Sequence, residues 1–209
     1  MVVDKHKLLM VHVPKCGGTT IEMAFQNVWG VHNKVSDYKK MKKYKWKEFF
    51  TFAYIRNPWD WYLSLHRYWS NMSKTKWFTD IPKEREAKEK WYKENIKNFP
   101  DAINKIQFLM ESEETGPHFE PQSSFVMFKG EVGVDFLGRF ENYLNDWEKI
   151  KKIKGLNVEL GHYNKLGKGI HYSAFYSDEM AEKVGEFYKC DVENFGYEFE
   201  RVEDYHIHI

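Results

Sequence analysis

The sequence predicts an α/β fold with a central, mainly parallel sheet flanked by helices. Three observations predict it. Two short apolar runs, residues 8–13 (LLMVHV) and 49–55 (FFTFAYI), each stop at a turn-forming residue and read as buried strands. Each run is followed by a segment with helical spacing of its apolar residues. The strand and helix patterns alternate along the chain, which is the signature of a parallel sheet covered by crossover helices.

The elements follow in order. The first run stops at Pro14, and Pro14-Lys15-Cys16-Gly17-Gly18-Thr19-Thr20 is a turn with two glycines. Ile21-Glu22-Met23-Ala24-Phe25 then continues as a helix. Residues 39–47 carry six lysines interleaved with Met41, Tyr44 and Trp46, a solvated face or a surface for a polyanionic acceptor. The second strand ends at Arg56-Asn57-Pro58, and Trp59, Tyr62, Leu63, Leu65 and Trp69 give the next helix its apolar side. Residues 71–115 are charged and helix-forming over 84–97 and 102–111, broken by Pro100. They read as a helical insertion or lid within one domain spanning 1–209. A third strand is expected over 134–140 and a helix over 145–152. Residues 161–176 form a loop rich in Gly, Lys and His. Ser177 is placed to cap a last helix with Met180, Val184, Phe187 and Tyr188 on its apolar stripe.

Composition narrows the function. The net charge is +1, so no global field for nucleic acid exists. The charge is nevertheless uneven. Residues 1–50 carry ten lysines against four acids, and residues 171–209 carry ten acids against three bases. An anionic ligand would prefer the N-terminal part. The two cysteines, Cys16 and Cys190, form neither a C-x-x-C pair nor a zinc pattern. No apolar stretch precedes a small-residue cleavage site near the N-terminus, and no run approaches the ~18–20 residues that span a bilayer. A cytoplasmic location without membrane or nucleic-acid partners is expected. Aromatic residues make up 18% of the chain. That content suits a packed core, and rings such as Trp77, Trp91, Phe119 and Phe125 also suit an acceptor with a sugar or flat ring.

A strand that feeds a glycine turn and a helix N-terminus is an anion site, because free N–H groups and the helix dipole face the ligand. Gly17 and Gly18 permit close approach, Lys15 adds charge, and Thr19 and Thr20 add hydroxyl donors. The lysine precedes the glycines, unlike the order G-x-x-x-x-G-K-[ST] of nucleotide-hydrolysing loops. A nucleotide kinase remains an alternative, as does a binding module that holds a nucleotide without catalysis.

Val13-Pro14-Lys15-Cys16-Gly17-Gly18-Thr19-Thr20-Ile21, with Tyr54-Ile55-Arg56-Asn57-Pro58-Trp59-Asp60 and Ser64, resembles the carbohydrate-type sulfotransferase family. The resemblance continues through His118-Phe119-Glu120-Pro121-Gln122, Gly138-Arg139-Phe140-Glu141-Asn142 and the stretch from His171-Tyr172 to Phe195-Gly196-Tyr197. It omits roughly residues 71–115. The family often has Thr where this chain has Cys16. The resemblance implies an α/β, P-loop NTPase-like fold in three layers. It also implies 3′-phosphoadenosine 5′-phosphosulfate (PAPS) as sulfuryl donor, adenosine 3′,5′-bisphosphate (PAP) as product, a small-molecule or glycan acceptor, and no metal requirement.

The same resemblance assigns roles. Lys15, Cys16, Gly17, Gly18, Thr19 and Thr20 would cradle the 5′-phosphosulfate, with Lys15 stabilising the leaving oxygens. Arg56 would hold the 3′-phosphate by a planar contact that lysine cannot reproduce, with Ser64 as second donor. Lys165 and Lys168 belong to a basic loop that would close over the nucleotide, and Tyr172, which follows it, is a further cofactor-binding candidate. His32, 24 residues before Arg56, is the first candidate general base, with a histidine's ordinary titration near ~6.5. His118 is the second, or a residue that orients the acceptor, and Glu22 is a third. His66 reads as packing. Arg139 could face the acceptor or pair with Glu141 or Asp135. His206 and His208 read as a ragged tail.

Overall fold

The computed structural model describes residues 1–26, 31–42, 44–74, 82–161 and 170–202. Its elements are β1 (Val2–Val3), β2 (Leu8–Val11), α1 (Gly18–Ala24), α2 (Val35–Lys40), β3 (Phe50–Ile55), α3 (Pro58–Ser70), α4 (Pro82–Asn95), α5 (Phe99–Asn104), α6 (Ile106–Glu111), α7 (Gln122–Val126), β4 (Met127–Phe128), β5 (Glu131–Val132), β6 (Phe136–Arg139), α8 (Tyr143–Lys154), α9 (Asp178–Phe187) and α10 (Lys189–Phe195). The chain divides into two compact units. Unit 1 is Met1–Arg56 with Glu120–Asn164, and unit 2 is Asn57–Phe119 with Lys165–Ile209.

Unit 1 is built on a sheet of order β1-β2-β3-β6. β1 runs antiparallel to β2, and the other pairs are parallel, with Leu8 opposite Phe50 and Phe52 opposite Phe136. All four residues of β2 are buried. A strand covered on both faces reads as a continuous apolar run, which is why residues 8–11 show no alternation. Helix α8 packs on β6. Its Trp147 is 1% exposed and meets Phe25 edge-on at 6.1 Å and Phe52 at 6.4 Å. Burying a large apolar side chain of this kind stabilises by ~1.5–3 kcal/mol. The Asp135 carboxylate accepts from the Thr51 amide and hydroxyl at 2.8 and 2.9 Å, which pins the start of β6 beside β3. Because β2, β3 and β6 are parallel, the glycine loop, Arg56 and Arg139 all emerge at the same edge of the sheet. The carboxyl ends of parallel strands are where ligands bind in open α/β sheets.

Unit 2 is helical. Asn57 caps α3 by accepting from the Trp59 amide at 3.1 Å, and Pro58 sits in the first turn, where its missing N–H costs nothing. Trp61, Leu65 and Trp69 fall at i, i+4 and i+8 and are buried with Tyr62, Tyr92, Phe119 and Tyr188. The charged stretch forms α4, α5 and α6. The expected interruption falls between α4 and α5, with Pro100 in the first turn of α5 behind the Asn98 cap, and a second one at Lys105 divides the stretch expected as one helix over 102–111. The Lys105 ammonium binds the Asn95 carbonyl at 2.7 Å and Asp101 at 3.1 Å, which ties the start of α6 back to α5. Ser177 caps α9 by accepting from the Met180 amide, and Val184 and Tyr188 are fully buried on its stripe. Among the described residues, no helix is long and apolar enough to cross a membrane.

Candidate active site

The loop after β2 is held in a conformation that few residues tolerate. Gly17 has φ 85° and Lys15 has φ 60°, both left-handed. That region is unusual for a lysine and marks a loop whose surroundings dictate its shape. The Tyr143 hydroxyl donates to the Gly17 carbonyl at 2.6 Å. A Cβ on Gly17 would come within 2.7 Å of the Tyr143 ring, and one on Gly18 within 2.3 Å of the His12 ring. Close packing therefore requires both glycines, and at Gly17 the backbone angle requires one as well. Thr19 and Thr20 are half-buried in the first turn of α1. The Cys16 thiol is buried and donates to the Gln122 side-chain oxygen at 3.3 Å, so it supports the loop from beneath.

Arg56 follows β3 directly. Its backbone is clamped by one carboxamide: Gln122 Oε1 accepts from the Arg56 amide and Gln122 Nε2 donates to the Arg56 carbonyl, both at 2.8 Å. The guanidinium lies over the Phe140 ring at 4.2 Å and donates to the Lys15 carbonyl at 3.2 Å. Ring and carbonyl together fix its direction. Lys15 is pulled down to about 8 by burial, and then by the positive charge of Arg56 beside it. A cation on the glycine loop and a second one held beside it after β3 are complementary to a multiply charged anion.

His32 stands in the stretch before α2. Lys34, two residues on, is fixed by an ion pair with Glu120 and by its amide bond to Asp37 at 2.9 Å. His32 Nδ1 lies 3.0 Å from the His12 carbonyl. A carbonyl only accepts, so Nδ1 carries the hydrogen and Nε2 is the basic nitrogen. The two imidazoles meet edge to face with centroids 4.6 Å apart. The ordinary histidine titration expected from sequence is not found. Burial, followed by the neighbouring His12, draws His32 down to about 3 and keeps it neutral. His12 Nδ1 in turn lies 3.0 Å from Glu22 Oε1. Glu22 is wholly buried, and burial raises its carboxyl to about 7.

The remaining sequence candidates are distributed differently. Arg139 ends β6 with an exposed side chain, and its amide donates to Asp146 at 2.9 Å, while Asp135 is engaged by Thr51. Ser64, His118 and Tyr172 lie in unit 2. Ser64 is half-buried on α3. His118 Nδ1 donates to the Thr115 carbonyl at 2.8 Å, and its ring meets Trp69 edge-on. The Tyr172 hydroxyl accepts from the Glu200 amide at 2.9 Å. His66 is half-buried and lies 3.0 Å from the Tyr92 hydroxyl. Lys165, Lys168, Trp77, His206 and His208 lie outside the described residues. Phe119 and Phe125, read from the sequence as rings suited to an acceptor, are fully buried core residues instead, with Phe119 packed against the Tyr62 and Trp69 rings. Trp91 is half-exposed and stacks on Phe108 at 6.0 Å.

Sequence reasoning missed His12, Tyr143, Phe140 and the part played by Gln122. Gln122 was visible only as a member of the His118–Gln122 motif, and His12 only as a strand residue. Among the described residues, no group of three or more His, Cys, Asp or Glu side chains is arranged to hold a metal ion. A family model described as Sulfotransferase family matches residues 1–198. Comparisons with curated proteins and with solved structures gave no match.

Proposed function

Since the chain belongs to the sulfotransferase family, we propose that it moves a sulfuryl group from PAPS to an acceptor hydroxyl by direct in-line displacement. The observation that carries this reading is the pairing of Lys15, on a left-handed glycine loop, with Arg56, whose guanidinium donates to the Lys15 carbonyl at 3.2 Å. Two fixed cations and a row of backbone donors suit a nucleotide with phosphate at both its 3′ and 5′ positions. On this reading, the strand–loop–helix unit is a P-loop-like cradle within a three-layer α/β arrangement. Its lysine precedes the glycines.

The residues of unit 1 then take the following roles. Arg56, aimed by Phe140 and the Lys15 carbonyl, holds the 3′-phosphate. Lys15 neutralises charge that builds on the departing 5′-phosphate oxygen. His32 Nε2 takes the proton of the acceptor hydroxyl while the new O–S bond forms and the S–O bond to the leaving phosphate breaks. The products are a sulfated acceptor and PAP. We take the acceptor to be a carbohydrate, the class that the resemblance of the Lys15–Thr20 and Arg56–Asp60 motifs to carbohydrate-type sulfotransferases implies.

Calorimetric titration with adenosine 3′,5′-bisphosphate, with AMP and ATP as controls, tests the donor site. The bisphosphate is expected to bind best, and Arg56→Ala to weaken it by roughly 10–100-fold, as loss of a charged, bidentate hydrogen bond does. Single alanine variants of Ser64, Tyr172, Lys165 and Lys168 in the same titration test their family-implied roles. Equal affinity for all three nucleotides would sink the sulfotransferase reading, and a preference for ATP would favour a kinase.

A further inference from the structure

The interior of unit 1 contains a carboxyl group that its packing does not explain. Glu22 sits on α1 with no exposed surface. One oxygen faces His12 Nδ1 at 3.0 Å, and the other, Oε2, is buried without a hydrogen-bond partner. A buried, half-satisfied carboxyl costs stability, and a leucine or methionine of similar volume would avoid that cost. His12 is 4% exposed and is equally constrained. Its ring occupies the space against Gly18 that a side chain there would fill, and it meets the His32 ring edge to face. Its carbonyl accepts the His32 Nδ1 hydrogen. Glu22, His12 and His32 thus form one continuous series of contacts running from the interior to the proposed base.

We propose that Glu22 and His12 are positioning residues for the sulfuryl-transfer reaction: the ionised Glu22 carboxylate orients the His12 imidazole, and His12 fixes the His32 ring and the charge it acquires on taking the acceptor proton. The inference rests on the sulfotransferase reading and deepens it. His12 stays neutral, since burial pulls it down to about 3, so it donates through Nδ1 when Glu22 is a carboxylate. Glu22, raised to about 7 by burial, changes charge in the working pH range, whereas His32 itself does not. The titratable and charged groups that face this series are Lys15, which repels protons from both imidazoles, the α-amino group of Met1, and the Tyr38 hydroxyl on α2. Above about 7 the carboxylate places a negative charge behind His12 and favours the developing imidazolium on His32. Below about 7 its protonation removes that charge. Turnover should therefore rise with pH through about 7, and the residue that sets this limb is Glu22 rather than the base.

Glu22→Gln keeps the shape and an acceptor for His12 Nδ1 but cannot ionise. It is expected to lower kcat at least tenfold, to leave KM for the donor and affinity for adenosine 3′,5′-bisphosphate unchanged, and to flatten the pH profile between 6 and 8. In a His32→Ala background the same change should be silent, because the residue through which it acts is gone. Titration of the Glu22 carboxyl by carbon-13 NMR in the unaltered protein should give a midpoint near 7, whatever the acceptor or activity. Retained turnover with an intact limb in Glu22→Gln, an equal loss in the His32→Ala background, or a Glu22 midpoint in the ordinary carboxyl range would each overturn the proposal. If the unaltered protein binds no bisphosphate and transfers nothing, the functional reading fails instead, and the NMR midpoint still decides whether the buried carboxyl is poised as described.

Discussion

Unit 1 and unit 2 bury polar atoms in opposite ways. In unit 2, four buried polar rings end on backbone carbonyls. The Tyr62 hydroxyl donates to Ala102 at 2.6 Å, Tyr188 to Phe119 at 2.9 Å, Tyr176 to Trp59 at 2.8 Å, and the Trp59 indole to Ala181 at 2.7 Å. Trp69 Nε1 is an exception. Each bond joins helices or segments distant in sequence, so these hydroxyls act as struts in an aromatic core. In unit 1, the buried aliphatic strands carry the stability, and the polar groups at their carboxyl ends are left under tension. Lys15 holds a left-handed backbone beside a second cation, Glu22 keeps one oxygen unsatisfied, and two imidazoles are held neutral by burial. On the proposed reading, the bonded rings of unit 2 serve structure, and the strained groups of unit 1 serve the reaction.

Four substitutions or titrations sharpen that contrast. Trp61→Ala should cost about 3–5 kcal/mol of stability, because it empties a fully buried site in unit 2. Denaturant unfolding measures this, and a cost near that of a surface change would break the assignment of the aromatic core. His32→Ala should leave stability nearly unchanged yet lower turnover by ~10²–10⁴ with bisphosphate binding intact. If His32→Ala turns over normally while His118→Ala does not, the base belongs to unit 2 and the contrast fails.

Lys15 makes a smaller, pH-dependent prediction. It is charged below about 8 and neutral above, so bisphosphate affinity should fall as pH rises past about 8, and Lys15→Arg should flatten that dependence. The stability linkage has a definite sign. Folding lowers this pKa, so Lys15 opposes folding fully below about 8, and the penalty disappears as pH climbs through the ordinary lysine range. The smallest effect is Tyr188→Phe, expected to cost about 1 kcal/mol by removing one strut to the Phe119 carbonyl while leaving ligand binding untouched. Chemical denaturation beside calorimetry separates the two outcomes.

The sequence by itself determined the elements that local chemistry dictates. Apolar runs at 8–13 and 49–55 became β2 and β3, since chain segments without polar alternation must be covered on both faces. The spacing of Trp61, Leu65 and Trp69 made α3, and Ser177 became the cap of α9. The two glycines after Cys16 marked the tight loop between β2 and α1, because only glycine tolerates that close approach. Tertiary structure decided the rest. It brought Gln122 to clamp Arg56, placed Phe140 beneath the guanidinium and Tyr143 against Gly17, and closed Glu22 and His12 behind His32. It also turned Phe119 and Phe125 into core, and it moved His32 out of its ordinary titration range. Burial and the proximity of charges are properties of the folded chain, and a pKa or a hydrogen bond between residues a hundred positions apart has no local sequence signal.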